Sequence, residues 1–331
     1  MLSRIHHSVS FLPFLAPAGA LAGQTGAASE STAAQPKGAV RLGQQGLAER
    51  ARLRIVCPDK PGIVAAVSQF LFAEGANIVQ SDQYSTHPDA GRFFLRVEFD
   101  KPGIAEELAG LKARFVEVAN RFNMQWEVAL AAVPKRMVIF VSRELHCLTE
   151  LLWRWQMGEL FADIRAIVSN HPDAAEVAHQ YEIPFYHIPV SRETKAEAEA
   201  KAQEVLSEHG ADVVVLARYM QILSPQFVQA WPGRIINIHH SFLPAFIGRN
   251  PYQRAYDRGV KLIGATAHYV TEELDEGPII EQDVERVDHR MNADDLKRIG
   301  RHIERTVLAR AVQWHLEDRI LLHGNKTIVF R

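Results

Sequence analysis

The chain has 331 residues, 47% of them apolar, and a formal net charge of −2. That length suggests one large or two modest domains with real cores, and the near-neutral charge argues against non-specific binding to nucleic acid or an anionic membrane. Two cysteines, Cys57 and Cys147, are too few for a disulfide framework or a multi-cysteine zinc site, which fits a reducing compartment such as the cytoplasm. The longest apolar run, 11–22, is about half of the ~20 residues a spanning helix needs, so no membrane partner is expected.

Residues 1–48 are rich in Ala, Gly, Ser and Gln and contain no acid before Glu30. Disorder is expected there. Three readings stay open: a mitochondrial transit peptide, suggested by the missing acids and the serines; a secretory signal, suggested by the apolar run and Ala20-Leu21-Ala22 but weakened by Pro13 and Pro17; and an extension without function. A transit peptide would move the expected location from cytoplasm to mitochondrion.

A first domain is expected over 50–131. Residues 52–57 read as a strand, Pro58-Asp59-Lys60-Pro61-Gly62 as a turn, and 63–73 as a helix with Ile63, Val67, Phe70 and Leu71 at helical spacing. A strand over 76–85, a turn at His87-Pro88-Asp89-Ala90-Gly91 and a strand over 93–99 follow. In the last, Phe93, Leu95, Val97 and Phe99 alternate with other residues. Pro102-Gly103 opens a helix to about 122, and 124–131 is a final strand. The order βαββαβ is ferredoxin-like.

This segment resembles an ACT regulatory domain in Asp59-Lys60-Pro61-Gly62-Ile63 and in Asn77-Ile78. The resemblance implies a homo-oligomer and a small amino-acid effector held by Asp59, Pro61, Gly62 and Asn77. Backbone N–H groups at a helix N-terminus suit such a carboxylate. The simpler reading is that Asp59, Pro61 and Gly62 only make the turn.

After Val133-Pro134 a second domain is expected over 135–331. Strands are expected at 137–141, 164–169, 213–216, 235–238, 261–269 and 279–284, with helices at 145–155, 174–181, 194–208, 251–258 and 292–317. Such alternation predicts an α/β fold, a Rossmann-like, mostly parallel sheet with helices on both faces.

The strand 235–238 breaks into Asn237-Ile238-His239-His240-Ser241, followed by Leu243-Pro244 and Gly248. Catalytic groups in open α/β sheets gather at carboxyl ends of strands. Asn237 and His239, two apart, point to one side, and an amide with an imidazole can donate to an oxyanion. His240 is expected on the other face. Asp275 lies in Leu274-Asp275-Glu276-Gly277-Pro278, a turn after the next strand.

These two motifs resemble the folate-dependent formyltransferase superfamily, and with the ACT-like segment the whole of 50–331 resembles its hydrolytic branch. The resemblance implies hydrolysis of 10-formyltetrahydrofolate to formate and tetrahydrofolate, supplying formate for purine synthesis, with no cofactor and no metal. It implies catalysis by Asn237, His239 and Asp275. Asp275 would be the general base, its pKa raised by burial, or the group that orients water. His239 would donate to the formyl oxygen or shuttle a proton to N10, and Asn237 would be a second oxyanion donor.

Met220, Ile222 and Leu223 match the segment lining the folate pocket, where a flat pterin suits an apolar slot. Thr271 and Glu272 are expected at its edge, and His268 is expected to bind substrate or to orient Asp275, the simpler reading being a packed strand histidine. Gln221 stands where relatives often carry Arg or Lys. The loop Ser142-Arg143-Glu144-Leu145-His146-Cys147 has no glycine, whereas glycinamide ribonucleotide transferases use a glycine-rich loop there to cradle a phosphate. Ser142, Arg143, His146 and Cys147 are therefore expected to exclude an amine acceptor or to place water. Methionyl-tRNA formylating relatives carry a further carboxyl-terminal domain, while here about 50 residues follow Ile280 and the charge is not basic. Water is the expected acceptor.

Overall fold

The computed structural model describes residues 46–87, 91–245 and 250–331. The extension 1–45, residues 88–90 of one predicted turn, and Gly248 lie outside the described residues. The chain divides into two compact units: Gly46–Val133 with Asp318–Arg331, and Pro134–Glu317.

The first unit holds β1 (Arg50–Pro58), α1 (Ile63–Ala73), β2 (Asn77–Ser85), β3 (Arg92–Asp100), α2 (Ile104–Phe122) and β4 (Gln125–Leu130). Its sheet has the order β2-β3-β1-β4 and every pair is antiparallel. Ile63, Val67 and Leu71 of α1 and Leu111, Phe115 and Ala119 of α2 recur at helical spacing. They pack on Leu53, Ile55, Leu95 and Val97 from the sheet, so each helix buries one stripe.

The second unit holds β5 (Lys135–Val141), α3 (His146–Gln156), β6 (Ala162–Ser169), α4 (Ala175–Gln180), β7 (Phe185–His187), α5 (Lys195–Glu208), β8 (Val213–Leu216), α6 (Pro225–Gln229), β9 (Ile235–His239), α7 (Pro251–Arg258), β10 (Leu262–Tyr269), β11 (Ile279–Arg286) and α8 (Ala293–Leu316). The sheet runs β11-β10-β9-β8-β5-β6-β7. Strands β9, β8, β5, β6 and β7 pair in parallel, while β10 and β11 add as antiparallel strands at one side. Parallel strands are covered on both faces, which is why β5 and β8 are apolar runs.

Helix α8 starts at a capping box, Asn292 with Asp295. It buries Leu296, Gly300, Ile303, Val307 and Leu308 along one stripe. No helix among the described residues is long and apolar enough to cross a membrane.

The expected end of the second domain at 331 shifts. After α8 the chain forms β12 (Ile320–His323) and β13 (Lys326–Val329), a hairpin that belongs to the first unit. Leu321, Ile328 and Phe330 pack there against Val56 of β1 and Phe94 of β3. The cause is register. Neighbours along β1 and β3 face opposite sides of the sheet, and the side away from α1 and α2 carries Val56 and Phe94, which the hairpin covers.

Candidate active site

Strand β9 delivers Asn237 and His239 to the carboxyl end of the sheet, next to Leu216, the last residue of β8 and the partner of Asn237. Antiparallel pairing of β10 sets His268 directly opposite Asn237. The chain then loops back. Tyr269 donates its N–H to the Pro278 carbonyl at 2.9 Å, and a Cβ at Gly277 would stand 1.8 Å from the Tyr269 oxygen. Only glycine permits that approach, and it sets Asp275 above the strand ends.

Asp275 Oδ2 lies 3.3 Å from His239 Nδ1, and its Oδ1 lies 3.7 Å from His268 Nε2. Burial opposes ionisation of Asp275, but hydrogen bonding to His239 and His268 outweighs it and holds the carboxyl well below the usual carboxylate range. This corrects the expectation of a raised pKa: Asp275 is a fixed anion. His268 Nδ1 lies 2.9 Å from the Tyr269 carbonyl, which can only accept. Nδ1 therefore carries a proton, and Nε2 lies 3.2 Å from Asn237 Nδ2. Asn237 keeps its second amide proton for another acceptor. His239 is buried, and its Nε2 has no hydrogen-bond partner.

These groups line a cavity of about 870 Å³. His240 lines it too, which corrects its expected placement on the far face. Strand β9 ends at His239, so strict alternation stops there. Burial, aided by the Arg218 charge, pushes the His240 pKa down to about 3.

Met220, Ile222 and Leu223 lie on the cavity wall with Thr271 and Glu272. Met220 and Ile222 are more than half exposed, so they are not packed core. Thr271 Oγ1 donates to the Glu273 carbonyl at 3.1 Å, and Glu272 Oε1 accepts from Gln229 at 3.0 Å.

The loop 142–147 departs from its expected role. Glu144 is its cavity-lining residue, and Ser142, Arg143, His146 and Cys147 do not line the cavity. Buried Ser142 donates to Asn170 Oδ1 at 2.6 Å and accepts from the Met220 N–H at 3.0 Å, tying the 217–223 segment to the end of β5. His146 Nε2 lies 2.7 Å from Glu304. Ligand atoms of His146, Cys147 and Glu304 come within 4.8 Å of one another. That set suits a metal poorly, because burial pushes the Cys147 thiol pKa up and the Arg218 cation sits beside Glu304.

The cavity wall also holds Arg218, Tyr252 and Glu304, which sequence reasoning did not single out. Their signals were present. Arg218 follows directly on the apolar strand β8, and Glu304 interrupts the buried stripe of α8.

The expected effector residues separate. Asp59, Pro61 and Gly62 make the β1–α1 turn, where Asp59 accepts from Ser85. Asn77 pairs with Asp100 at the other end of the sheet, so within one chain Ser85, not Asn77, completes that turn.

Residues 135–312 match the formyl transferase family and residues 51–115 the ACT domain. The chain is 61% identical to formyltetrahydrofolate deformylase of Bacillus subtilis (strain 168) over 287 residues, 87% of this chain and 96% of that protein. The crystal structure of a formyltetrahydrofolate deformylase from Pseudomonas syringae pv. tomato superposes with a TM-score of 0.83 at 49% identity, covering 85% of this chain and 95% of that one. A glycinamide ribonucleotide transformylase from Symbiobacterium toebii superposes with a TM-score of 0.56 at 29% identity, covering 60% of this chain and 95% of that one. The transformylase matches a smaller share of the chain, whereas the deformylases match across both units, and the chain belongs to the formyltetrahydrofolate deformylase family.

Proposed function

We propose that the cavity hydrolyses 10-formyltetrahydrofolate to formate and tetrahydrofolate. The observation that carries the reading is a pair on its wall: the Asp275 carboxylate faces His239 Nδ1, and the buried Nε2 of His239 has no partner. The pterin lies against Met220, Ile222 and Leu223. Neutral His239 takes a proton from water through Nε2 as the water oxygen bonds to the formyl carbon. Asp275 stabilises the imidazolium that forms. The free Asn237 amide proton meets the oxyanion, a donor whose loss typically costs about 10²- to 10³-fold. His239 then protonates N10 as the C–N bond breaks.

Asp275 acts here by orientation and charge, since so weak a base accepts a proton poorly near neutral pH. No cofactor and no metal enter the reaction. The formate supplies purine biosynthesis, and the unpaired Cys57 and Cys147 fit a cytoplasmic setting. The ACT-like unit binds a small amino acid at the Asp59-Pro61-Gly62 turn and pairs chains into a homo-oligomer, a reading supported by the family match over 51–115.

The test is formate release from 10-formyltetrahydrofolate by the purified protein, with and without added amines and glycinamide ribonucleotide. Release without any amine is expected. Turnover that requires an amine would replace hydrolysis by transfer.

A further inference from the structure

Past the catalytic groups the cavity wall carries a second polar centre. Arg218 stands two residues beyond Leu216, the strand partner of Asn237, and so beside the end of β9 where His239 and His240 lie. Its backbone is left-handed, with φ 64°, a conformation costly for a residue with a Cβ. Two bonds impose it: Ala217 donates to Phe140 at 2.8 Å, and Ser142 donates to the Arg218 carbonyl at 3.2 Å.

The side chain is only 9% exposed. Its charge is balanced by Glu304, whose Oε2 lies 3.3 Å from Arg218 Nε. Glu304 itself is held by Tyr252, which donates to Oε1 at 2.5 Å, and by His146 at 2.7 Å. The ring of Tyr252 occupies the space that Gly300 leaves, since a Cβ there would meet it at 2.1 Å. The guanidinium is thus fixed in place, yet its Nε and Nη1 make no hydrogen bond.

Unsatisfied buried donors are costly, and this cation lines the cavity. The other Arg and Lys side chains of the wall are engaged: Arg301 and Lys297 lie 2.8 and 3.4 Å from Glu144. A planar guanidinium whose Nε faces Glu304 and whose Nη1 has no partner can take a second carboxylate.

Hydrolysis creates one small carboxylate. Water oxygen bonds to the formyl carbon, the bond to N10 breaks, N10 takes a proton, and the acid formed loses its proton as formate. Transfer to an amine never frees that anion. We propose that Arg218, set by Glu304, is the subsite that receives formate as it leaves the catalytic groups. This proposal rests on the hydrolytic reading above.

The experiment is a titration of the full-length protein with ¹³C-formate, followed by NMR, without turnover. Arg218→Met removes the charge and keeps the bulk; Arg218→Lys keeps the charge without the planar fork and guards against a folding failure of the first variant. Saturable formate binding is expected in the parent. It should weaken about 10- to 100-fold in Arg218→Met, the range of a lost charge-assisted hydrogen bond, and by less in Arg218→Lys. Equal formate affinity in the parent and in either folded variant would overturn the subsite. A carboxylate also ends the folate tail, so tetrahydrofolate and tetrahydropteroate are compared. If Arg218→Met weakens only the former, Arg218 holds the tail and the formate assignment falls. Formate release from 10-formyltetrahydrofolate is assayed separately, so a protein that binds formate but does not hydrolyse defeats the reaction and not the subsite.

Discussion

Asp275 reaches His239 from a left-handed backbone conformation: its φ is 59° and its Oδ2 lies 3.3 Å from Nδ1. A side chain with a Cβ adopts that conformation at a cost, and the closed loop from Tyr269 to Pro278 imposes it. Asp275→Asn keeps the shape and removes the charge that stabilises the imidazolium. Formate release should fall about 10²- to 10⁴-fold, while tetrahydrofolate affinity by fluorescence titration is retained. Near-normal turnover would remove Asp275 from the mechanism.

The closure of that loop rests on Gly277. A methyl group there would stand 1.8 Å from the Tyr269 oxygen, so Gly277→Ala forces the loop outward and carries Asp275 with it. A displacement of that order costs about 10²-fold in rate. The check is kcat alongside far-ultraviolet circular dichroism: full activity in a folded variant would mean that the loop does not set Asp275.

His240 makes stability sensitive to acid. Burial and the Arg218 charge hold its folded pKa down to about 3, while the unfolded chain's histidine titrates near 6.5. The unfolded state therefore binds the extra proton as pH falls. This contribution is fully present above pH 6.5 and is lost progressively between 6.5 and 3. At pH 5 the loss is up to about 2 kcal/mol. Urea unfolding of the parent and of His240→Gln at pH 7.5 and pH 5 measures it, and His240→Gln should lose less stability. Equal losses in the two proteins would refute a neutral His240.

Leu321 is 1% exposed, in a cluster with Val56, Phe94 and Phe330. Leu321→Ala should cost the first unit about 2–5 kcal/mol. Amide exchange should accelerate in β1 and β3 and not in β5 or β8, as expected when local stability differs between units. Acceleration of both sheets alike would separate the hairpin from the first unit's stability.

Where a segment's own pattern decides its structure, the sequence was enough. The limits of α1, α7 and β8 coincide with the expected ones, because apolar spacing and flanking Gly or Pro act locally. The carboxyl end of β9 and the Gly277-Pro278 turn likewise marked Asn237, His239 and Asp275.

What escaped depends on partners distant in sequence. Strand β7 has three residues and helix α6 five, too short to show a period. The β12–β13 hairpin turns at Gly324-Asn325, with Gly324 at φ 56°, a readable hairpin signal. A two-stranded hairpin alone is marginal in water, and nothing local says that β1 and β3 receive it. The pKa of Asp275 followed the same rule. Burial by itself raises it, and only the convergence of His239 and His268 reverses the sign.

The hairpin also orders events in time. A ribosome makes residues 46–133 first, and domains generally fold as they emerge. Here the residues that cover Val56 and Phe94 are made only after the whole second unit. Val56 and Phe94, on a face otherwise carrying the ion-paired Arg52, Arg96 and Glu98, therefore stay open to water until residues 320–330 have been made. A nascent chain stalled before Asp318 would carry the second unit complete and the first still unfinished.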